Sequence, residues 1–429
     1  MKARGAMPRR QALRLLGGAS LLPIAACRSH PTRRGRQSAS LWFTYGGRNR
    51  EVLERLVRRF NTTQDEFQID AVYQGDYYEG LAKLRTAMAA RAAPALSHVI
   101  GEVVPYLANA GVLQSFEGFE GADDLDTVES LGQSGSWQGG REHPLVALPF
   151  NRSTPIAYLN GDLFGQAGRQ APSTWSELRA TARALTIRRE GRTVRYGFGC
   201  PISWWFWVAM VGQAGGTLFG PLGRPVLGGD AGRLALELWQ SMVHRDGSMK
   251  PPPGRDYNAW EQTNQDFLAG RAAMIWTSTA FIRYLEDNAP FQVVAAPLPK
   301  LKQHAVPTGG TYWVMPRGAA PDEQAAAWAF LRFMHAPTQA MEWATSTGYL
   351  PVTREAIVRL RASGFYERHP NHGVSLDQLS VAMPWPWSTD LFRIQREIIQ
   401  PRLERAVLER QDAGRLLAEA RKAAIDGAP

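Results

Sequence analysis

Cysteine is nearly absent from this sequence, which contains two cysteines, Cys27 and Cys200, in 429 residues. Cys27 lies at the end of an N-terminal leader, so Cys200 is the one thiol expected in the folded part. A single thiol forms neither an intramolecular disulfide nor a cysteine-based metal site. Because YGFGCPISWW places no histidine near Cys200, we interpret this residue as a small buried side chain rather than a catalytic thiol.

Acidic residues are absent from the first 36 residues, which contain nine lysines and arginines. The formal net charge of +10 therefore belongs almost entirely to this segment, and residues 37–429 carry about +1. A nearly neutral folded part lacks the electrostatic surface that is typical of nucleic-acid-binding proteins. We predict that nucleic acid is not a partner.

The apolar run near the N-terminus, residues 12–26, is too short to cross a membrane. Basic residues precede the run and small residues end it, which is typical of an export signal. An Arg-Arg pair ahead of it resembles a twin-arginine signal, and IAAC at 24–27 resembles a lipobox, in which Cys27 becomes acylated. We predict a signal peptide over residues 1–27 and a flexible tether over 28–39. The protein is then exported and lipid-anchored to the cell membrane, facing the periplasm or the exterior.

Several motifs that carry enzyme chemistry are also missing. HxxEH, GxSxG and GxxxxGK[ST] do not occur, and the glycines of GQAGGT at 212–217 lack the spacing of a phosphate-binding loop. We therefore predict no catalytic residue, no metal and no cofactor, and we do not expect an enzyme. A carbohydrate hydrolase would need two carboxylates about 5–10 Å apart in a cleft, and Glu102 is the one good candidate.

Alternating strands and helices account for most of the remaining chain. SLWFTYGG, FQIDAVYQG and LSHVIG read as strands with an amphipathic helix in each gap, which is a βαβαβ order. The alternation resumes after residue 155 with PIAYLN, RYGFGC and RAAMIWTST as strands. The predicted fold class is α/β with two lobes, each a mainly parallel sheet flanked by helices. Sheets of this kind bind ligands at the carboxyl ends of their strands.

The polar break in ALPFNRSTPIAYLN is interpreted as a crossover between the lobes, and the end of RAAMIWTST as a second crossover. The predicted N-terminal lobe comprises residues 40–151 plus about 278–335. The predicted C-terminal lobe comprises residues 152–277 plus about 336–429. The ligand cleft is expected between them.

Five segments in order, VYQGDYYEGL, PFNRSTPIAYLN, GRAAMIWTSTA, GGTYWVM and TGYLPVTREAI with GFYERHP, carry a resemblance to a known family. They resemble the extracellular solute-binding proteins of ABC transporters, in the sugar-binding group that includes the glycerol-3-phosphate-binding proteins. The resemblance covers most of residues 40–425. It implies a two-lobed periplasmic-binding-protein fold, type II-like, that closes on a small-molecule solute and delivers it to the ABC permease transmembrane subunits. We expect a monomer whose membrane contact is the lipid anchor.

Carried over residue by residue, the resemblance also implies the ligand-binding residues. Glu102 lies one residue later than its counterpart in the glycerol-phosphate receptors, relative to the preceding proline. The tryptophan cluster offers flat aromatic faces that stack on sugar C–H groups or bind a quaternary ammonium. Within this cluster, Trp205 is favoured from its distance upstream of the Gly215-Gly216 turn. The full predicted set is Tyr77, Glu102, Ser153, Trp205, Ser278, Gly310, Tyr349 and Arg393.

The chemical class of the solute stays open. The glycerol-phosphate receptors use an arginine near the C-terminal helices for phosphate, and such an arginine suits phosphate because its charged fork is bidentate. Here Arg393 is displaced by several residues, and Ser388 or Thr389 stands in that place. Glycerol-phosphate compounds and neutral mono- or oligosaccharides therefore remain alternative solutes. A sensor or adhesion module that works without a transporter remains an alternative function.

Overall fold

The computed structural model describes residues 35–132, 144–220, 224–383 and 385–427. Cys27 and the predicted signal peptide lie outside these described residues. Within the described ranges, no helix is long and apolar enough to cross a membrane.

Strands and helices alternate along most of the chain. The described strands are β1 (Gln37–Phe43), β2 (Phe67–Tyr73), β3 (Leu96–Ile100), β4 (Ala147–Ser153), β5 (Pro155–Asn160), β6 (Ile187–Arg189), β7 (Arg192–Gly199), β8 (Met249–Lys250), β9 (Ala272–Ser278), β10 (Val293–Ala296), β11 (Val306–Pro307), β12 (Gly309–Val314) and β13 (Ala382–Met383). The described α-helices are α1 (Gly47–Thr63), α2 (Tyr77–Ala89), α3 (Val104–Asn109), α4 (Glu129–Gly132), α5 (Gly161–Gln166), α6 (Trp175–Leu185), α7 (Trp204–Gln213), α8 (Gly229–Gln240), α9 (Asp256–Leu268), α10 (Ile282–Asn288), α11 (Pro321–His335), α12 (Pro337–Thr347), α13 (Arg354–Ala362), α14 (Phe365–Arg368), α15 (Pro370–Asp377), α16 (Leu391–Arg393), α17 (Gln400–Leu408) and α18 (Ala413–Asp426). Short 3₁₀ turns span Gly101–Val103, Thr279–Phe281 and Gln378–Val381, and π-helical turns span Ser241–Arg245 and Ile394–Ile399.

Two sheets organise the fold, as the α/β prediction requires. The first sheet has the order β2-β1-β3-β12-β4, and the second has the order β10-β5-β9-β7-β6 with β8 beside β7. Both sheets are mixed rather than mainly parallel. β12 runs antiparallel to β3 and β4, and β5 runs antiparallel to β9 and β10. A βαβ connection joins two parallel strands of the same sheet. β5 and β12 each enter from the other sheet without such a connection, so they are free to run antiparallel.

At residues 151–155, where the sequence predicts a crossover, the chain passes from one sheet to the other. β4 belongs to the first sheet and β5 to the second, and Thr154 is the one residue between them. The polar residues before it are not a loop, since Asn151, Arg152 and Ser153 complete β4 and are buried. The polar break is thus an extended, fully buried passage from one sheet to the other.

The second predicted crossover, at the end of RAAMIWTST, is wrong. After β9 the chain forms α10 and then β10, which pairs with β5 in the second sheet. The return to the first sheet therefore comes between Ala296 and Gly309, later than the predicted boundary near residue 278. β9 is as buried as β4, and burial of a strand does not determine which sheet its successor joins.

Each sheet has its own apolar core. α1 packs on the first sheet with an apolar stripe spaced for a helix, Val52, Leu53, Leu56, Val57 and Phe60, and α11 packs against β1. In the second sheet, α7 is buried over most of its length and carries the fully buried Trp207. Cys200 is also buried in that core, as the sequence predicts, and burial raises the pKa of its thiol.

Gly310 occupies a position that an alanine cannot share. Its φ is +96°, and an added Cβ would lie 1.8 Å from the carbonyl oxygen of Asn151 on β4. Gly318 has a similar φ of +108°, but an added Cβ there would meet no atom within 4 Å. Gly318→Ala therefore measures the backbone strain alone, whereas Gly310→Ala adds a collision with a neighbouring strand.

We expect Gly318→Ala to lower the free energy of unfolding by about 1 kcal/mol through backbone strain. Gly310→Ala should lower it by a further 1–3 kcal/mol or so, because the colliding atom is backbone and cannot move away cheaply. Urea unfolding followed by far-UV circular dichroism measures both values. Equal losses in the two variants would contradict the collision.

Candidate functional site

A cavity of about 330 Å³ lies where the ends of the two sheets approach each other. Its walls come from the segments that follow β1, β3, β7 and β9, from the first residues of β12, and from the N-terminal ends of α2 and α7. The carboxyl ends of parallel strands are the expected place for a ligand in this fold class. The cavity lies at these ends, as the element order predicts.

Seven of the eight predicted ligand-binding residues line this cavity. They are Tyr77, Glu102, Ser153, Trp205, Ser278, Gly310 and Tyr349. The strand pairing explains part of the grouping, since Ser153 pairs with Gly309 and Ser278 pairs with Pro155, two residues after Ser153. Arg393 is not among the lining residues. Its Nε donates to Asp390 Oδ1 at 3.0 Å, one helical turn earlier, so its charge is compensated locally.

A chain of hydrogen bonds begins beneath the cavity at His98. The Thr44 N–H donates to His98 Nε2 at 2.9 Å, so Nδ1 carries the proton of the neutral ring and donates to the Thr311 hydroxyl at 2.8 Å. The Thr311 hydroxyl and N–H both donate to Asn151 Oδ1. This fixes the orientation of the Asn151 amide, which is fully buried.

The chain continues from Asn151 to two tyrosines in the cavity wall. Asn151 Nδ2 donates to the Tyr77 hydroxyl at 3.2 Å, and the Tyr77 and Tyr349 hydroxyls lie 3.1 Å apart. Tyr349 also stacks on Trp343, with the ring planes 9° apart. The two phenol groups are therefore positioned by buried partners before any solute enters, which lowers the cost of ordering them on binding.

Glu102 is the acidic group best placed for a solute. It lies in the 3₁₀ turn after β3 and is 4% exposed, yet it reaches the cavity surface. Burial raises its pKa from 4.5 to about 7, against the opposing effects of a backbone hydrogen bond and of the Arg152 charge. A carboxylate in such a place accepts hydrogen bonds strongly, because water does not compete for it.

Aromatic rings form the side of the cavity that belongs to the second sheet. Trp205 and Trp260 have ring centres 5.3 Å apart, and Trp260 stacks on Phe206 at 4.9 Å. Trp204 meets Trp385 edge-on at 5.6 Å. Flat faces of this kind suit the C–H face of a sugar ring or a quaternary ammonium group.

One carbonyl oxygen, that of Thr308, orients two of these rings. Trp385 Nε1 donates to it at 2.8 Å and Trp205 Nε1 at 3.4 Å. The neighbouring Gly309 makes room for the second contact, since an added Cβ would lie 2.7 Å from Trp205 Cζ2. The connection between β11 and β12 therefore sets how far the Trp205 ring extends into the cavity.

The cavity wall carries no positive side chain among its described residues, which include no Lys, Arg or His. Its carboxylates are Glu102 and Asp76, and Asp76 caps α2 by accepting the N–H groups of Tyr78 and Glu79. The N-terminal ends of α2 and α7 supply partial positive charge instead. A dianionic phosphate would meet two carboxylates without a compensating cation, whereas a neutral or zwitterionic solute would not.

Sequence reasoning missed several residues that shape the cavity. Trp260 on α9 and Asn151 on β4 carry no sequence feature that separates them from core residues. Gln400 holds the loop before α7, because its Nε2 donates to the Ile202 carbonyl at 2.7 Å and its Oε1 accepts the Trp204 N–H at 2.9 Å. Gln400 lies nearly 200 residues after that loop, so no local pattern predicts the contact.

A two-lobed α/β chain with a solute-sized cavity between its sheets has the architecture of a periplasmic solute receptor. Residues 55–372 match the family model described as bacterial extracellular solute-binding protein. This match covers more than half of the sequence, and the chain belongs to that family. It is a solute-binding protein of an ABC importer, and its role is transport rather than catalysis. The resemblance found in the five sequence segments is thus confirmed.

Curated relatives and solved structures agree with this assignment. The sn-glycerol-3-phosphate-binding periplasmic protein UgpB of Escherichia coli strain K12 is 26% identical over 370 residues, which covers 82% of each chain. UgpB from Mycobacterium tuberculosis, solved in complex with glycerophosphocholine, has a TM-score of 0.77 at 23% identity and covers 90% of this chain and 97% of that one. The cyclic alpha-maltosyl-1,6-maltose binding protein from Arthrobacter globiformis has a TM-score of 0.74 at 21% identity, with 91% and 98% covered.

The hydrogen-bonded chain through His98 makes the fold sensitive to acid. Burial lowers the pKa of His98 from 6.5 to about 3. The ring is neutral when folded and gains a proton on unfolding, so its stabilising contribution is present above pH 6.5 and is lost as pH falls towards 3. At pH 5 the loss from His98 should be about 2 kcal/mol.

We expect His98→Gln to reduce this loss between pH 7.5 and pH 5, because glutamine can still accept from Thr44 and donate to Thr311 without titrating. His335 and His372, whose pKa values burial lowers to about 4, add to the loss of stability in acid, whereas Glu102, whose pKa burial raises to about 7, opposes it. A residual slope from these groups remains in the variant. Urea unfolding at the two pH values measures the effect, with the exposed His304→Gln as control. If the free energy of unfolding of His98→Gln fell as much between pH 7.5 and pH 5 as that of the wild type, the His98 ring would not titrate as described.

Proposed function

We propose that this chain is the substrate-binding lipoprotein of an ABC importer, and that its cleft captures a hydroxyl-rich solute, a glycerophosphodiester or a carbohydrate, for delivery to the permease. The observation that carries the proposal is the pairing of two opposed walls. Aromatic rings form one wall, and the other presents Glu102 with the hydroxyls of Ser153, Tyr77 and Tyr349. Such walls bind the C–H faces and the hydroxyl groups of one polyol together.

Within this class, the charge of the wall favours a saccharide or a zwitterionic phosphodiester over a phosphate monoester. The E. coli relative is named for sn-glycerol-3-phosphate and the M. tuberculosis structure holds glycerophosphocholine. The described lining of this chain offers no cation to a dianion, but its rings suit a choline group as well as a sugar. A neutral mono- or oligosaccharide is the alternative solute.

Capture by a two-lobed receptor requires the lobes to move relative to each other. We propose that the β4–β5 passage through Thr154 and the segment between β10 and β12 absorb the backbone rotations of this closure. Each of these segments joins a strand of one sheet to a strand of the other, and Ser153, Gly309 and Gly310 at their ends line the cavity. The receptor is proposed to work as a monomer, exported and facing the periplasm or the exterior.

Thermal unfolding in the presence of glycerophosphocholine, sn-glycerol-3-phosphate, maltose and trehalose tests the solute class. A solute at 100 times its Kd should stabilise the protein by about 2.7 kcal/mol. We expect stabilisation by glycerophosphocholine or by a neutral sugar, and little by sn-glycerol-3-phosphate. Stabilisation by sn-glycerol-3-phosphate alone would refute the preference, and turnover of any solute would refute the receptor function.

Two variants connect that result to the cleft. Glu102→Gln and Trp205→Leu should each weaken the Kd of the stabilising solute about tenfold or more, since each removes a contact in the wall. Trp328→Leu is the matched control, because Trp328 is as buried as Trp205 but packs beneath the first sheet on Phe119. If Trp328→Leu weakened binding equally, the effect would be global rather than local.

The two cysteines give a direct test of the lipid anchor. We expect Cys27→Ser to move the protein from the membrane fraction into the soluble fraction and to abolish incorporation of labelled palmitate. Cys200→Ser should change neither readout, because that thiol is buried in the second sheet's core. Retention of Cys27→Ser in the membrane fraction would contradict lipidation at that position.

A further inference from the structure

Arg152 lies behind the cavity wall, on β4 next to Ser153. It is 1% exposed and is not one of the lining residues. Arginines are rarely buried to this extent without an ion pair, because removing an uncompensated charge from water is costly. Within the described part of the chain, no carboxylate forms an ion pair with Arg152, so no contacting acid neutralises its charge.

The contacts of Arg152 fix the position of its guanidinium group. Nη2 donates to the Thr308 hydroxyl at 2.8 Å, and the central carbon lies 4.4 Å from the centre of the Tyr312 ring. Nε has no hydrogen-bond partner among the described residues. These contacts hold the group over the Tyr312 ring without neutralising its charge.

The guanidinium group ends beside the turn that carries Glu102. A Cβ added to Gly101 would lie 3.5 Å from Arg152 Nη1 and 2.7 Å from the Tyr312 ring. Gly101 therefore leaves room for the Tyr312 ring, and Arg152 Nη1 lies within van der Waals distance of the same position, next to Glu102. Glu102 faces the cavity from this turn, so the carboxylate stands in the wall with the buried cation behind it.

We propose that Arg152 is a positioning residue that acts through Glu102: its buried charge favours the ionised form of the carboxylate over the protonated form, so that the cleft selects solutes that donate hydroxyl hydrogens to an anion. This inference deepens the proposed function and rests on it for the identity of the solute class. The two charges are not in ion-pair contact, and of the two only the Glu102 carboxylate faces the solute. A hydroxyl or an ammonium group is therefore accepted in front of Glu102, and a phosphate dianion is disfavoured.

Other charged groups near the Glu102 turn do not replace Arg152. On α16, which packs against the turn, Arg393 is paired with Asp390 at 3.0 Å. Arg396 lies over the Tyr78 ring at 3.8 Å, and Asp76 caps α2. The other packed elements, α3 and β12, contribute the ionisable side chains of Tyr106 and Tyr312 only. Arg152 is the cation whose charge lowers the pKa of Glu102, whereas burial raises it, to about 7 overall.

The test follows the ionisation of Glu102 in the protein without solute. Carbon-13 NMR of protein labelled at the glutamate carboxyl carbon, assigned by the loss of one resonance in E102Q, gives the titration midpoint. The wild-type midpoint should lie near neutrality. In R152M, which removes the charge and keeps the length, it should rise by about 1–3 pH units. R152K, which keeps the charge, should restore it to near the wild-type value.

Controls separate this role from a purely structural one. R195M removes a half-buried arginine of β7 and should leave the Glu102 midpoint unchanged. If R152M does not fold, R152Q provides a second neutral variant that can still donate to Thr308. An unchanged midpoint in the neutral variant, or a wild-type Glu102 that stays protonated up to pH 9, would overturn the proposal.

Solute binding supplies the second readout. With whichever of glycerophosphocholine, maltose or trehalose binds the wild type, R152M should bind about tenfold more weakly at pH 7 and recover as pH rises, because one pKa unit corresponds to a factor of ten. If R152M lost the same factor in affinity at all pH values, the result would contradict an effect through Glu102. If none of these solutes binds while the midpoint shifts as expected, the proposed solute class fails and the role of Arg152 in ionisation stands.

Discussion

The passage of the chain from β4 to β5 through Thr154 is the constraint on which the cleft depends. Thr154 is fully buried, donates its N–H to the Thr279 hydroxyl at 3.3 Å, and accepts the Thr279 N–H at 3.1 Å. Gln378 donates to the Thr154 hydroxyl at 3.1 Å. Because one residue separates the two sheets here, the ends of β4 and β9 are held side by side, and Ser153 and Ser278 reach the same cavity.

The sequence predicted the α/β class, the place of the first crossover and seven of the residues that line the cavity. These features are visible in the sequence because they depend on local patterns, namely strands with alternating or continuous apolar residues and turns at the carboxyl ends of those strands. The second crossover failed because strand pairing is not local: β9 and β4 look alike in sequence, yet their successors join different partners. Arg393 does not line the cavity, and here the cause is local, since Asp390, three residues earlier, pairs with its side chain.

The contacts that polarise the cleft were beyond the reach of sequence reasoning. Arg152 lies in the polar part of ALPFNRSTPIAYLN, and an arginine in such a segment is usually exposed to solvent. Only the pairing of β4 with β12 shows that it is buried against Tyr312 and faces the turn of Glu102. Likewise, the role of His98 depends on Thr44, Thr311 and Asn151, which come from three separate strands or strand ends.

Gly309 has a consequence for how this receptor's specificity can change. The Trp205 ring occupies the space that a side chain at position 309 would fill, while its indole N–H is held by the adjacent Thr308 carbonyl. The width of the cavity on that side is thus determined by the absence of a side chain at position 309, behind the Trp205 ring. A receptor built in this way can acquire a narrower cleft in one mutational step, with every side chain that touches the solute retained.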